Sequence, residues 1–283
     1  MEKVIFIDVD GTLRNDDREI TKRTIKSVQD IKLAGYEPII ATGRPRDYAK
    51  KLREEIGASR YVILNNGAEI YDYESDAIIY QNFMKNQRIL ELYKFSNLEN
   101  IRFILATKGT RYVNRVKHPE METLITETIE EFLDKNEKII QVTIASADFD
   151  TIKNMYNDVI KVTNVRIMNQ SKSLVDSSFV RDKTIYYDIV DEGTSKGMAI
   201  KEFYKKFKIK KENCIAIGDD RNDISMFDEV GTKIAMGNAL EEVKEIADII
   251  TESNNDHGVA IYLEKLYKKQ EKGEIIQLSD DSR

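Results

Sequence analysis

The sequence predicts an α/β fold in which a parallel-sheet core is split by an inserted α+β domain. Three features of the 283-residue chain carry that expectation. Short, continuously apolar runs alternate with amphipathic stretches over roughly the first eighty residues, the pattern of strands buried on both faces between covering helices. The same alternation returns in the second half. Between the two blocks, from about Phe83 to Lys183, strand-like and helical segments mix without that repeat.

The elements follow in order. "VIFID" (Val4–Asp8) reads as a buried strand. A helix follows from Thr21 to Ala34, with Ile25, Val28 and Ile31 on one face, Thr21 as N-cap and Gly35 as stop. "EPIIATG" is the second strand. Pro45 opens the next helix and Gly57 closes it, and "YVILNNG" is the third strand. "AEIYDY" and "AIIYQN" read as a hairpin. In the middle, "IRFILAT", "RYVNRV", "KIIQVTIA" and "VRIMNQ" are strand-like, with helices expected near Glu122–Leu133 and Phe149–Ile160. The core resumes with "TIYYDIV", a helix from Ser195 to about Phe207, "NCIAIGDD", a helix from Asn222, "TKIAMGN" and a helix from about Leu240. This assigns residues 1–82 and 184–270 to the core, 83–183 to the insert and 271–283 to a frayed tail.

Composition narrows the function. With 41% hydrophobic and 33% charged residues, the chain has the make-up of a soluble globular protein. A net charge of −6 argues against a nucleic-acid binder. The apolar start is broken by Asp8, too early for a signal peptide, and no stretch is long enough for a membrane span. Cys214 is the only cysteine, which excludes an internal disulfide and suits the cytoplasm. Nothing in the sequence distinguishes a monomer from a dimer.

In an open parallel sheet, ligands collect beyond the carboxyl ends of the strands. Four such places carry chemistry. At the first, Asp8 and Asp10 are two apart on an extended segment, so both face one ion or phosphate, with Gly11 and Thr12 behind them. A polar Asp-Gly turn explains this group equally well. At the second, Thr42, Gly43 and Arg44 end a strand before a helix, a phosphate-binding arrangement or an ordinary turn. The third is Lys196, a cation at a helix start where the macrodipole disfavours it; it needs an offsetting anion unless it is simply solvated. The fourth crowds Asp219, Asp220 and Asp223 around Asn222, an acidic cap or a site for a hard cation such as Mg²⁺. Taken together, carboxylates, a hydroxyl, one cation and more carboxylates at strand ends are the components of metal-assisted phosphoryl transfer.

On these motifs, "DVDGT", "ATGR", Lys196 and "GDDRND", the chain resembles the haloacid dehalogenase-like phosphatases of the Cof-type subfamily. "NNGA" (Asn65–Ala68), "MGNA" (Met236–Ala239) and "NNDHGVA" (Asn254–Ala260) add to the likeness, while Asp220 and His257 stand where relatives often carry other residues. The resemblance implies a Rossmann-like core with an α/β cap domain and hydrolysis of a small-molecule phosphate ester, sugar phosphates foremost. It implies Asp8 as nucleophile, and Asp10 as general acid and then general base. Mg²⁺ would be held by Asp8, the Asp10 carbonyl and Asp219, with Asp223 joining directly or through water, and the phosphoryl group by Thr42 and Lys196, with Asn222 helping to position it. A phosphomutase and a non-catalytic phosphometabolite-binding protein are the alternatives. Lys108, Arg111, Arg115, Lys117 and His118 form a basic stretch of the insert, a substrate-contacting patch or a solvated face. His118 and His257 show no ligand pattern, and Cys214 reads as core.

Overall fold

The computed structural model describes residues 2–107, 110–120, 122–135, 138–168 and 184–271. Strand β1 (Lys3–Ile7) ends directly before Asp8. Val4 to Ile7 are all buried, and at about 1.5–3 kcal/mol per enclosed side chain this run pins the strand end. Helix α1 (Lys22–Leu33) starts at Thr21, whose side chain accepts the Thr24 N–H, and buries Val28 and Ile31. Strand β2 (Tyr36–Ala41), helix α2 (Arg46–Ile56, between Pro45 and Gly57), β3 (Tyr61–Leu64), β4 (Glu69–Asp72) and β5 (Ala77–Gln81) follow.

The middle of the chain holds α3 (Asn86–Tyr93), β6 (Arg102–Ala106), β7 (Arg111–Val113), β8 (Glu122–Leu124), α4 (Ile129–Asp134), β9 (Gln141–Ser146), α5 (Phe149–Val159), β10 (Val165–Ile167) and β11 (Ile185–Asp191). Its six-stranded sheet runs β10-β11-β9-β6-β7-β8 and has its own core, including Phe103, Leu105, Val142, Ile144 and Tyr187. Two expectations change here. The segment 122–133 is not one helix: Glu122–Leu124 is a strand, and the helix begins only after Thr128, whose hydroxyl and Glu131 form a capping box. "TIYYDIV" is not a core strand either, because β11 pairs antiparallel with β9, Ile185 opposite Ser146 and Ile189 opposite Val142. Its burial alternates, with Ile185, Tyr187 and Ile189 enclosed and Tyr186 and Asp188 only partly covered, as suits a half-covered antiparallel strand.

The chain then gives α6 (Lys196–Phe207), β12 (Cys214–Gly218), α7 (Arg221–Phe227), β13 (Thr232–Ala235), α8 (Glu241–Lys244), β14 (Ile249–Ile250) and α9 (Gly258–Glu271). With the N-terminal strands they make an eight-stranded sheet in the order β14-β13-β12-β1-β2-β3-β4-β5. Pairing is parallel from β14 to β3, and β4 turns antiparallel. Helix α1 packs with α2 and α9, and α6 with α7. The two compact units divide between Tyr80 and Gln81 and between Thr194 and Ser195, so β11 falls with the second unit instead of the core. No described helix is long and apolar enough to cross a membrane. Lys108 and the expected tail beyond Glu271 lie outside the described residues.

Candidate active site

Strands β1, β2 and β12 lie side by side and parallel, with Ile7 opposite both Ile40 and Ile217. Asp8, Thr42 and Asp219 therefore leave the sheet along one edge. The Asp8 N–H extends the ladder by donating to the Ile217 carbonyl at 3.0 Å, and the Thr42 N–H donates to Ile63 at 2.9 Å. The first turn then runs close over Asp219: a Cβ at Gly11 would stand 2.3 Å from Asp219 Oδ2, so only glycine fits. One residue on, the Thr12 hydroxyl donates to Asp219 Oδ1 at 3.0 Å, with both side chains buried.

Lys196 enters from the first turn of α6, whose N-cap Ser195 accepts the Met198 N–H at 3.1 Å. The helix start is fixed by the turn Asn65–Gly67 after β3. Gly67 has φ 96°, and a Cβ there would lie 2.1 Å from the Ser195 carbonyl oxygen. The lysine is completely enclosed, and its Nζ lies 2.5 Å from Asp8 Oδ1 and 2.7 Å from Asp223 Oδ1. Those carboxylates offset both the unfavourable dipole and the burial. Burial alone would pull the lysine pKa down, but Asp223 and Asp8 outweigh it and hold the ammonium protonated. Asp8 is shifted upward as well. Burial, then Asp223 and Asp219, push its carboxyl well above the usual range even against Lys196.

The acidic junction before α7 is cap and cluster at once. Asp220 is the N-cap and Asp223 its capping-box partner, whose Oδ2 accepts the N–H groups of Asp219 at 2.9 Å and Asp220 at 3.1 Å. That leaves Asp223 Oδ1 for Lys196. Asp8, Asp219 and Asp223, all buried, offer oxygens within 4.8 Å of one another. At an effective dielectric of about 20, two unit charges ~5 Å apart repel by roughly 3 kcal/mol. One ammonium cannot balance three such carboxylates. A divalent cation can, and an all-oxygen donor set is what a hard ion takes.

Asp10 is elsewhere. Its half-exposed side chain is held by the Arg44 fork, Nε to Oδ2 at 2.9 Å and Nη2 to Oδ1 at 3.1 Å, so the Asp10 carboxylate is not in the acidic cluster. Arg44 thus meets a carboxylate of the chain itself. Thr42 is buried, and its hydroxyl accepts the Arg44 N–H at 3.2 Å. A Cβ on Gly43 would crowd the Asn66 amide at 2.9 Å, and Asn222 Nδ2 donates to Asn66 Oδ1 at 3.2 Å. Asn66 therefore bridges the Thr42 turn to Asn222, a role unassigned from sequence although "NNGA" had marked it.

The other two short motifs act the same way. Asn238 Nδ2 donates to the Gly11 carbonyl at 2.9 Å, and Asn254 Nδ2 to the Arg14 carbonyl at 3.0 Å; the Asn254 N–H in turn meets Asn238 Oδ1 at 2.8 Å. Their signal was an asparagine in each loop that follows a core strand. His257 Nδ1 lies 3.1 Å from the Thr21 hydroxyl, Cys214 is buried in the core, and His118 with Lys117 gives its backbone N–H to Glu122 in the second unit. Arg115 and Lys117 are exposed.

Comparison with known proteins fits this geometry. The sequence profile of the haloacid dehalogenase-like hydrolases matches residues 5–263. The chain is 30% identical over 258 residues to the Bacillus subtilis 5-amino-6-(5-phospho-D-ribitylamino)uracil phosphatase YcsE, covering 91% of this chain and 93% of that one. It is 26% identical over 284 residues to phosphatase YwpJ of the same organism, covering 93% and 99%. A haloacid dehalogenase-like hydrolase from Bacteroides thetaiotaomicron shares the fold with a TM-score of 0.77 at 24% identity, over 94% of this chain and all of that one.

Proposed function

The chain belongs to the haloacid dehalogenase-like hydrolases and is a phosphatase of that family, and on this premise we propose that it is a Mg²⁺-dependent hydrolase of small sugar or polyol phosphates that works through an aspartyl-phosphate. One observation carries the mechanism: Asp8 lies against Lys196 beside Asp219 and Asp223, while Asp10, two residues on, stands outside that cluster. Two carboxylates in unlike surroundings suit two unlike tasks.

In the first step an Asp8 carboxylate oxygen attacks phosphorus, the bond from phosphorus to the ester oxygen breaks, and Asp10 gives that oxygen its proton. In the second, Asp10 takes a proton from water as the water oxygen attacks phosphorus. The phosphorus–Asp8 bond breaks, inorganic phosphate leaves and Asp8 is restored. Lys196 and the Thr42 hydroxyl hold the phosphoryl oxygens, with Asn222 placed by Asn66. Asp8, the Asp10 carbonyl, Asp219 and Asp223 are the residues that would hold Mg²⁺. When bound, the ion supplies charge neutralisation for the phosphoryl oxygens and keeps Asp8 ionised.

The substrate class is supported by the name of the YcsE relative, whose substrate carries its phosphate on a ribityl chain. The test is a phosphate-release screen over sugar phosphates, nucleotides and p-nitrophenyl phosphate. Asp8→Asn is expected to abolish release, and chelation of Mg²⁺ to stop it reversibly. Unchanged turnover in Asp8→Asn would refute the mechanism. Substrate loss without matching phosphate release would favour the phosphomutase alternative.

A further inference from the structure

The guanidinium of Arg14 lies over the Tyr48 ring, 4.9 Å from its centroid, and that of Arg44 lies over the same ring at 5.2 Å. The two cations are not equivalent. Arg44 is neutralised by the fork to Asp10. Arg14 forms no ion pair with a described residue, and its Nε, shut off from solvent, has no hydrogen-bond partner among them. The Tyr48 hydroxyl is also buried without a partner among the described residues. The nearest acidic residue in sequence, Asp16, is held by the amides of Asn254 at 3.0 Å and Asn255 at 2.9 Å. Orphaned buried donors of this kind are uncommon in folded proteins.

Their location matters. Arg14 and Asp10 are joined across the tight turn by a backbone bridge, and the Arg14 N–H donates to the Val9 carbonyl at 3.0 Å. Tyr48 feels the charges of Asp10, Arg44, Arg14 and Asp8 together. Around this ring stand two guanidiniums against Asp10 and the lysine-paired Asp8, whereas the acidic cluster has three carboxylates against one ammonium. The cluster thus wants a cation, and the face around the ring wants an anion. Since Asp10 is assigned to the leaving oxygen, the anion-seeking face belongs to the leaving group.

We propose that Arg14 and Tyr48 form a subsite for a second oxyanion, a carboxylate or a phosphate, carried by the leaving-group part of the substrate; this rests on the phosphatase reading above. A guanidinium placed over a ring carries a terminal pair of N–H donors that a carboxylate or phosphate accepts together, and a sugar hydroxyl cannot neutralise it. Loss of one such charge-assisted contact is worth roughly ten- to a hundredfold in discrimination.

The test compares kcat/KM for substrates matched except for that anion: phosphoserine against phosphoethanolamine for a carboxylate, and a fructose bisphosphate against the matching monophosphate for a second phosphate. The wild-type enzyme is expected to prefer the more anionic member of at least one pair about tenfold or more. Arg14→Gln is expected to cut that ratio about tenfold, and Arg14→Lys to keep part of it. The pair that responds identifies carboxylate or phosphate. A wild-type ratio at or below one in both pairs would overturn the subsite, as would a ratio unchanged by Arg14→Gln. Should that variant fail to fold, Tyr48→Phe reads the same ratio. Absence of phosphate release from every ester, p-nitrophenyl phosphate included, would overturn the phosphatase reading itself and the subsite with it.

Discussion

Lys196 and Asp223 face each other at 2.7 Å with both side chains fully enclosed. The pair joins the first turn of one helix to the first turn of the next. Because Asp223 also accepts two backbone N–H groups through its other oxygen, the lysine is tied to the geometry of the whole acidic junction. The position the macrodipole disfavours for a cation is therefore the one that puts its charge beside Asp8.

Removing that charge should cost stability and rate together. Lys196→Ala leaves the enclosed carboxylates without their ammonium, and an expected loss of about 3–5 kcal/mol follows from breaking a buried pair. Turnover should fall by about 100- to 1,000-fold as a phosphoryl-stabilising donor disappears. Urea unfolding and phosphate release measure the two separately. A variant of wild-type stability would show that the ammonium is dispensable to the cluster.

Mg²⁺ should act in the opposite direction. An ion that binds only the folded chain is expected to add about 2.7 kcal/mol at a hundred times its dissociation constant. Thermal melts across a Mg²⁺ series should rise for the wild type and stay nearly flat for Asp219→Asn, which loses one of the three clustered carboxylates. Equal rises in both would place the ion elsewhere.

The core was legible because its strands are apolar throughout, so Asp8, Thr42 and Asp219 stood out as abrupt changes at strand ends. The same rule misread "TIYYDIV". Tyr186 and Asp188 are the partly covered positions of an alternating strand, and period-two alternation should have outweighed overall hydrophobicity. Helix α9 went unseen because it starts at Gly258 with no side-chain cap named in advance, though Val259, Tyr262, Leu263 and Leu266 repeat at helical spacing. The Arg44–Asp10 fork had no sequence signal at all: the residues are 34 apart, and only the parallel pairing of β1 with β2 brings them together.

Acid should weaken the protein partly through Asp72. The Arg60 guanidinium, helped by the Ser75 hydroxyl and the N–H groups of Glu74 and Ser75, holds the Asp72 carboxyl well below the usual carboxylate range. An unfolded Asp titrates near 3.9, roughly, so the unfolded chain takes up the proton first as pH falls. The stabilisation is thus complete above about pH 5 and is lost as pH drops through 4 toward the folded value. The melting-temperature gap between wild type and Asp72→Asn is expected to be widest near neutrality and to close in strong acid. A gap independent of pH would sink this account.

Gly67 gives the sharpest test of how the lysine is positioned. Both Gly67 and Gly35 have strongly positive φ, 96° and 91°, so alanine at either should cost about 1–2 kcal/mol of left-handed strain. Their surroundings differ completely. Nothing lies within 4 Å of a Cβ at Gly35, whereas at Gly67 it would meet the Ser195 oxygen at 2.1 Å and the Lys196 nitrogen at 2.7 Å. Those are backbone atoms at a helix start and cannot swing aside. Gly67→Ala must therefore move either the Asn65–Gly67 turn, which carries Asn66, or the first turn of α6, which carries Lys196. Its expected result is a further loss of at least about 2 kcal/mol beyond Gly35→Ala, within the range for overpacking, together with a marked fall in kcat. Gly35→Ala should keep its kcat. Matching stability losses, or full activity in Gly67→Ala, would show that the contact between this turn and α6 does not set the lysine.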